Sequence, residues 1–184
     1  MLSLQDIEAL FTRRGHEQYS GERVTQLEHA LQTAALAEAA GSDDELVTAC
    51  LLHDLGHLLH DLGCGEQSPT LRGVDDVHQY AALPFLRGLF GARVLGGIGL
   101  HVDAKRYLCF SVAGYEAALS ADSQRSLKLQ GGVFSAAQAA AFMHRPGAGD
   151  AVKLRQWDDL AKVEGGATPP LAHYIERARR CVLG

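Results

Sequence analysis

Residues 51–62 read LLHDLGHLLHDL, a run of leucines broken by His53, Asp54, His57 and His60. Imidazoles and a carboxylate buried without partners cost several kcal/mol, whereas a bound metal turns the same groups into a site. The stretch therefore predicts a helical core built around metal ligands. His60 falls off that pattern and is read as peripheral.

The chain of 184 residues has the size of one domain with one substantial core. Seventeen Lys and Arg against 22 Asp and Glu leave a formal charge of -5, so no overall positive field invites nucleic acid or an anionic membrane. Any anionic substrate must then be met by local cations or metals. The start, MLSLQDIEALFTRRGHEQ, has neither the basic opening nor the long apolar run of a signal peptide. The expectation is a soluble, cytoplasmic protein. Cys50, Cys64, Cys109 and Cys181 form no CxxC pair, which favours reduced thiols over a zinc knuckle or disulfide framework.

Helical periodicity runs through nearly the whole chain, and no stretch alternates as a strand does. Helices are predicted at 4–14, from Thr25 to Gly41, and from the acid-rich start Ser42-Asp43-Asp44-Glu45 through His53 and Asp54. Further helices are expected near 75–87, 91–99, 101–109, 111–129, 135–142, 147–163 and 168–182, with Pro146, Pro169 and Pro170 at helix starts. HEQYSGERV (16–24) and GCGEQSPTLRGV (63–74) read as loops that border the histidine-bearing helices.

The chemistry lies in polar residues on apolar faces. His29 sits between Leu27 and Leu31; His53 and Asp54 sit among leucines, with His57 one turn on. His78 follows the acidic turn VDDV, His101 follows GGIGL, and RQWDD supplies Asp158. Mixed imidazole and carboxylate ligands suit iron, manganese or zinc.

His29, His53-Asp54, His78, His101 and Asp158 together resemble the HD-domain superfamily, whose signature H…HD…H…H…D lies on a helical bundle. The resemblance implies an all-α, single HD domain over 1–184. Its metal-binding core is at about 25–162, with an N-terminal helix and gating loop at 1–24 and a C-terminal helix at 168–182. It also implies two metals: Asp54 bridges, His29, His53 and Asp158 bind one ion, and His78 and His101 bind the other.

QYSGERVTQLEHALQTAALAEAAG, HDLGH, SLKLQGGVFS and RQWDD are similar to a narrower branch, the PhnZ and TmpB type of mixed-valent di-iron oxygenase. That likeness implies an Fe(II)/Fe(III) pair with dioxygen as co-substrate. The reaction is cleavage of the carbon–phosphorus bond of a 1-hydroxy-2-aminoethylphosphonate or its N-trimethyl analogue, giving phosphate plus glycine or glycine betaine. Tyr19 matches a gating tyrosine, and Glu22 the glutamate that moves with it. His57, Lys105, Ser126 and Gln130 match positions lining the phosphonate pocket, and Arg155, three residues before Asp158, is placed to hold an acid behind the ligands. The substrate's amino end is open to Tyr19, Glu22, Asp61 or Glu66. His57 separates this branch from the inositol-cleaving oxygenase and many hydrolases, which carry lysine there. Two alternatives stand: an HD-type phosphohydrolase acting on a phosphomonoester or nucleotide, and a non-catalytic metal-binding module.

Overall fold

The computed structural model describes residues 1–19, 21–59 and 69–184; His60, Asp61, Cys64 and Glu66 lie outside them. Among the described residues the structure is all-α, with isolated bridges such as Gln18 to Thr25 in place of strands. Among the described residues no helix is long and apolar enough to cross a membrane. Cys50, Cys109 and Cys181 are free thiols.

Helix α1 (Leu4–Arg14) opens on a capping box between Ser3 and Asp6, and α2 (Gln26–Ala39) on one between Thr25 and Glu28. Each box satisfies backbone donors that would otherwise be orphaned at a helix start, so α2 begins at a defined point just after the loop that carries Tyr19. Helix α3 (Asp44–Leu52) is capped by Asp43. It ends at the doublet, and α4 (Leu55–Leu59) starts just beyond it. The single helix expected through His53 and Asp54 is therefore interrupted, and His57 N bonds Asp54 O at 3.0 Å in a tighter turn. Neighbours on a regular helix project about 100° apart. The break allows both members of the doublet to face one centre.

A short 3₁₀ turn (Pro69–Arg72) precedes two small helices, α5 (His78–Ala81) and α6 (Leu83–Leu86), where one helix over 75–87 was expected; Pro84 lies at the start of α6. The opposite correction applies to 91–99 and 101–109, which form one helix, α7 (Ala92–Ser111). Its glycines do not break it, because Gly97 is where α7 presses on α3: a Cβ there would lie 3.0 Å from the Ala49 Cβ. Close packing offsets the poor helix propensity of glycine. The stretch 111–129 divides into α8 (Tyr115–Ala118) and α9 (Ala121–Leu129), because Ser120 leaves helical geometry and caps α9. Helices α10 (Ala136–Met143), α11 (Ala148–Leu160) and α12 (Leu171–Arg179) lie close to expectation.

Helix α7 is the axis, packed on α11 along one side and α3 on another, while α2 lies across α3 and α11. The main core joins Leu46, Leu51, Leu52, Leu55, Leu58, Ile98 and Leu154 with Ile7, Phe11 and Tyr174 from the terminal helices. This layering brings α2, the α3–α4 break, α5, α7 and α11 to one point.

Candidate metal centre and adjoining pocket

His29, His53, His101 and Asp158 are at most 1% exposed, and Asp54 is 7% exposed. Each of the four histidines is tied through Nδ1. His29 donates to Ala161 O at 2.8 Å, His53 to Cys50 O at 2.8 Å, His101 to Ile98 O at 2.7 Å, and His78 to Asp76 Oδ1 at 2.8 Å. A carbonyl or carboxylate partner accepts only, so the proton sits on Nδ1 and the Nε2 lone pair points inward. Yet the Nε2 atoms of His29 and His53 are 3.2 Å apart, and those of His78 and His101 are 3.0 Å apart. Facing lone pairs at that distance repel unless a cation lies among them.

Asp54 stands between the two pairs. Its Oδ2 is 3.5 Å from His29 Nε2 and 3.4 Å from His53 Nε2, while its Oδ1 is 3.3 Å from His78 Nε2 and 3.5 Å from His101 Nε2. Asp158 Oδ1 completes the first group at 3.4 Å from His29 Nε2. Asp54 Oδ1 and Asp158 Oδ1 are buried with no hydrogen-bond partner. The ligand atoms of His29, His53 and Asp158 lie within 4.8 Å of one another, as do those of Asp54, His78 and His101. Convergent lone pairs, orphaned carboxylate oxygens and a bridging aspartate fit a pair of metal ions. Burial opposes charge on Asp54, but positive charge at the inward-facing imidazoles, His53 first and then His78 and His57, holds its carboxyl well below the usual range, as a bound cation would. Burial, then the neighbouring His78 and His53, push His101 far down, toward the neutral ligand form.

Asp76, which the sequence reading left unassigned, organises the second group. Its Oδ1 holds His78, and its Oδ2 lies 3.0 Å from His57 Nδ1. Val77, between Asp76 and His78, has φ 45°, a left-handed conformation costly for a β-branched residue. Gly56 is equally specific: a Cβ there would meet His78 O at 2.2 Å. The glycine of HDLGH thus lets α4 rest directly on the backbone of a ligand histidine.

Beside the centre lies a cavity of about 50 Å³, and Tyr19, His57, Lys105, Ser126, Gln130 and Arg155 all line it together with Asp54. Lys105 is 2% exposed and donates to Ser126 Oγ at 2.7 Å. Burial, then the Arg155 charge, push its amine down to about 7. Arg155 reaches Asp158 Oδ2 at 2.9 Å, and its other nitrogens bond Asp159 and Ser123. Gln130 Oε1 is buried without a partner. The Tyr19 ring stacks on His29 with centroids 4.0 Å apart. Burial raises its phenol, and the Asp54 and Asp158 charges raise it further. Glu22, expected to move with Tyr19, pairs with Lys162 at 3.3 Å instead of lining the cavity. No sequence signal singled out Lys162, Ser123 or Asp76; all three act through contacts that only folding creates.

The chain belongs to the HD-domain family, whose match covers residues 27–125. Hydroxymethylphosphonate dioxygenase of Gimesia maris is 45% identical over 90% of this chain and 82% of its own length. The [1-hydroxy-2-(trimethylamino)ethyl]phosphonate dioxygenase (glycine-betaine-forming) of Leisingera caerulea is 36% identical over 96% of this chain and 88% of its own. Within the family, the chain therefore falls in the PhnZ-type branch of HD oxygenases, the phosphonate dioxygenases.

Proposed function

We propose that this protein uses dioxygen and a pair of irons to cleave the carbon–phosphorus bond of a small 1-hydroxyalkylphosphonate. The substrates in view are a 1-hydroxy-2-aminoethylphosphonate and its N-trimethyl analogue. The Gimesia relative adds hydroxymethylphosphonate, which shares the same C1–P unit. The observation that carries the reading is Asp54, whose two oxygens face two ligand groups, set beside a pocket lined by Lys105 and Arg155. Bound there, the irons would supply dioxygen activation and positive charge for the phosphonate.

The residues divide the remaining work. Lys105 meets the phosphonate's charge and the Gln130 amide can donate to it through Nε2, while Ser126 Oγ accepts from Lys105 and so aims its ammonium, and Arg155 holds Asp158 behind the ligands. His57, aimed by Asp76, holds a donor over the same space; burial works against its charge, but the Asp76 bond and the Asp54 field raise its pKa. Leu51, Leu52, Leu55 and Leu58 are buried around the doublet and keep water from the centre. Tyr19 occupies the pocket above His29 and must yield to the substrate, which supports its role as a gate. No side chain need serve as a nucleophile: the hydroxyphosphonate plus one dioxygen balances to a carboxylic acid plus phosphate, with the C1 hydrogen leaving carbon.

The test is phosphate release from the three phosphonates with and without dioxygen, in iron-loaded protein. One dioxygen consumed per phosphate is expected, with no anaerobic turnover. Anaerobic phosphate release would favour the hydrolase reading, and no turnover of any of the three in air would refute the proposal.

A further inference from the structure

Lys162 stands just beyond α11, four residues after Asp158 and next to Ala161, whose carbonyl holds His29. Its backbone is thus anchored to the metal centre, while its side chain reaches the turn that carries Tyr19. The Nζ lies 3.3 Å from Glu22 Oε1, 3.4 Å from Ser120 Oγ and 3.5 Å from Ser123 Oγ. It is also 5.9 Å from the Tyr19 ring centroid. Lys162 and Glu22 are only 13% and 15% exposed, so their attraction is weakly screened.

The turn itself is a closed unit. Tyr19 N bonds Val24 O, and Glu22 N bonds Tyr19 O, each at 3.0 Å. Moving Glu22 therefore moves Tyr19. A second ion pair of the turn, Arg23 with Glu164, is 3.8 Å long between groups 87% and 69% exposed, and contributes little. We propose that Lys162 is a positioning residue that latches the Tyr19–Glu22 turn over the metal centre, so that breaking the Lys162–Glu22 pair is a step of substrate entry. The proposal rests on the reading of Tyr19 as a gate. Without Lys162, Glu22 is a half-buried carboxylate lacking its counter-charge and is better solvated with the turn swung outward.

The experiment compares wild type, Lys162→Met, Lys162→Arg, Glu22→Gln and Tyr19→Phe. In aerobically prepared, iron-loaded, substrate-free protein, tyrosinate bound to ferric iron gives a visible absorption band; loss of the band in Tyr19→Phe assigns it to Tyr19. In metal-free protein, hydrogen exchange of the peptide spanning 16–25 reports release of the turn. Lys162→Met and Glu22→Gln are each expected to lose most of the band and to exchange about fivefold faster. Lys162→Arg is expected to retain both signals. Glu22→Gln keeps the test decisive if Lys162→Met folds poorly, since it removes the same pair with a side chain of the same size and shape. A wild-type band and exchange rate in both variants would overturn the latch and leave the gate standing. A wild-type protein with no Tyr19-dependent band would overturn gate and latch together.

Discussion

Replacing Asp76 by asparagine tests the organisation of the second metal position most directly. Asp76 accepts from His78 Nδ1 at 2.8 Å and lies 3.0 Å from His57 Nδ1, one carboxylate oxygen to each imidazole. Asparagine keeps one acceptor oxygen and puts an amide donor in place of the other, so one histidine must lose its partner or rotate. If His78 rotates, its Nε2 leaves the group formed with Asp54 and His101. Losing the hydrogen-bonded partner of a ligand histidine costs about 10- to 100-fold in metal affinity, or roughly 1.4–2.7 kcal/mol. The loss is confined to one side, because Asp76 holds His78 and His57, while His29 and His53 are held by the carbonyls of Ala161 and Cys50. Chelator competition followed by metal analysis should then show one ion held as in wild type and a second held 10- to 100-fold more weakly, by the same estimate. Two ions of wild-type affinity would refute the reasoning, and so would loss of both.

Other perturbations reach different parts of the argument. Gly56→Ala places a Cβ 2.2 Å from His78 O, so it should displace α5 and lower metal occupancy at the same position without altering the His29 side. Lys105→Met removes a buried cation from the pocket and should lower kcat/KM for a hydroxyphosphonate by about 10- to 100-fold with metal content unchanged, measured by phosphate release. Arg177 ties α12 to Glu38 and Asp44 across the surface, so Arg177→Ala should cost about 1 kcal/mol and lower Tm by about 2–4 °C, with ligand geometry untouched.

Much of the site was legible before folding because its residues carry a double signal. His29, His53, Asp54, His101 and Asp158 are polar groups on apolar faces, and burying them demands a partner. His57, Lys105, Ser126 and Gln130 were reached through resemblance and Arg155 through its spacing to Asp158, and all five line one cavity. Helix ends were less legible. The doublet's interruption and the unbroken course of α7 through Gly96, Gly97 and Gly99 both depend on what packs alongside, which local propensity does not contain. Asp76 escaped notice because an acidic residue in a turn reads as solvated surface until His57 and His78 are seen on either side of it.

The sequence alone determined the helical class, the presence of polar groups on apolar faces and the need for local cations in a chain of net charge -5, because apolar periodicity and composition are properties of the chain. Only the tertiary structure decided that the helix breaks at the doublet, that Asp76 serves two histidines, and that Glu22 faces Lys162 instead of the pocket. The reason is that coordination and ion pairing depend on distances of 3–4 Å between residues far apart in the chain. Those distances are set by how α2, α5, α7 and α11 close on the break between α3 and α4.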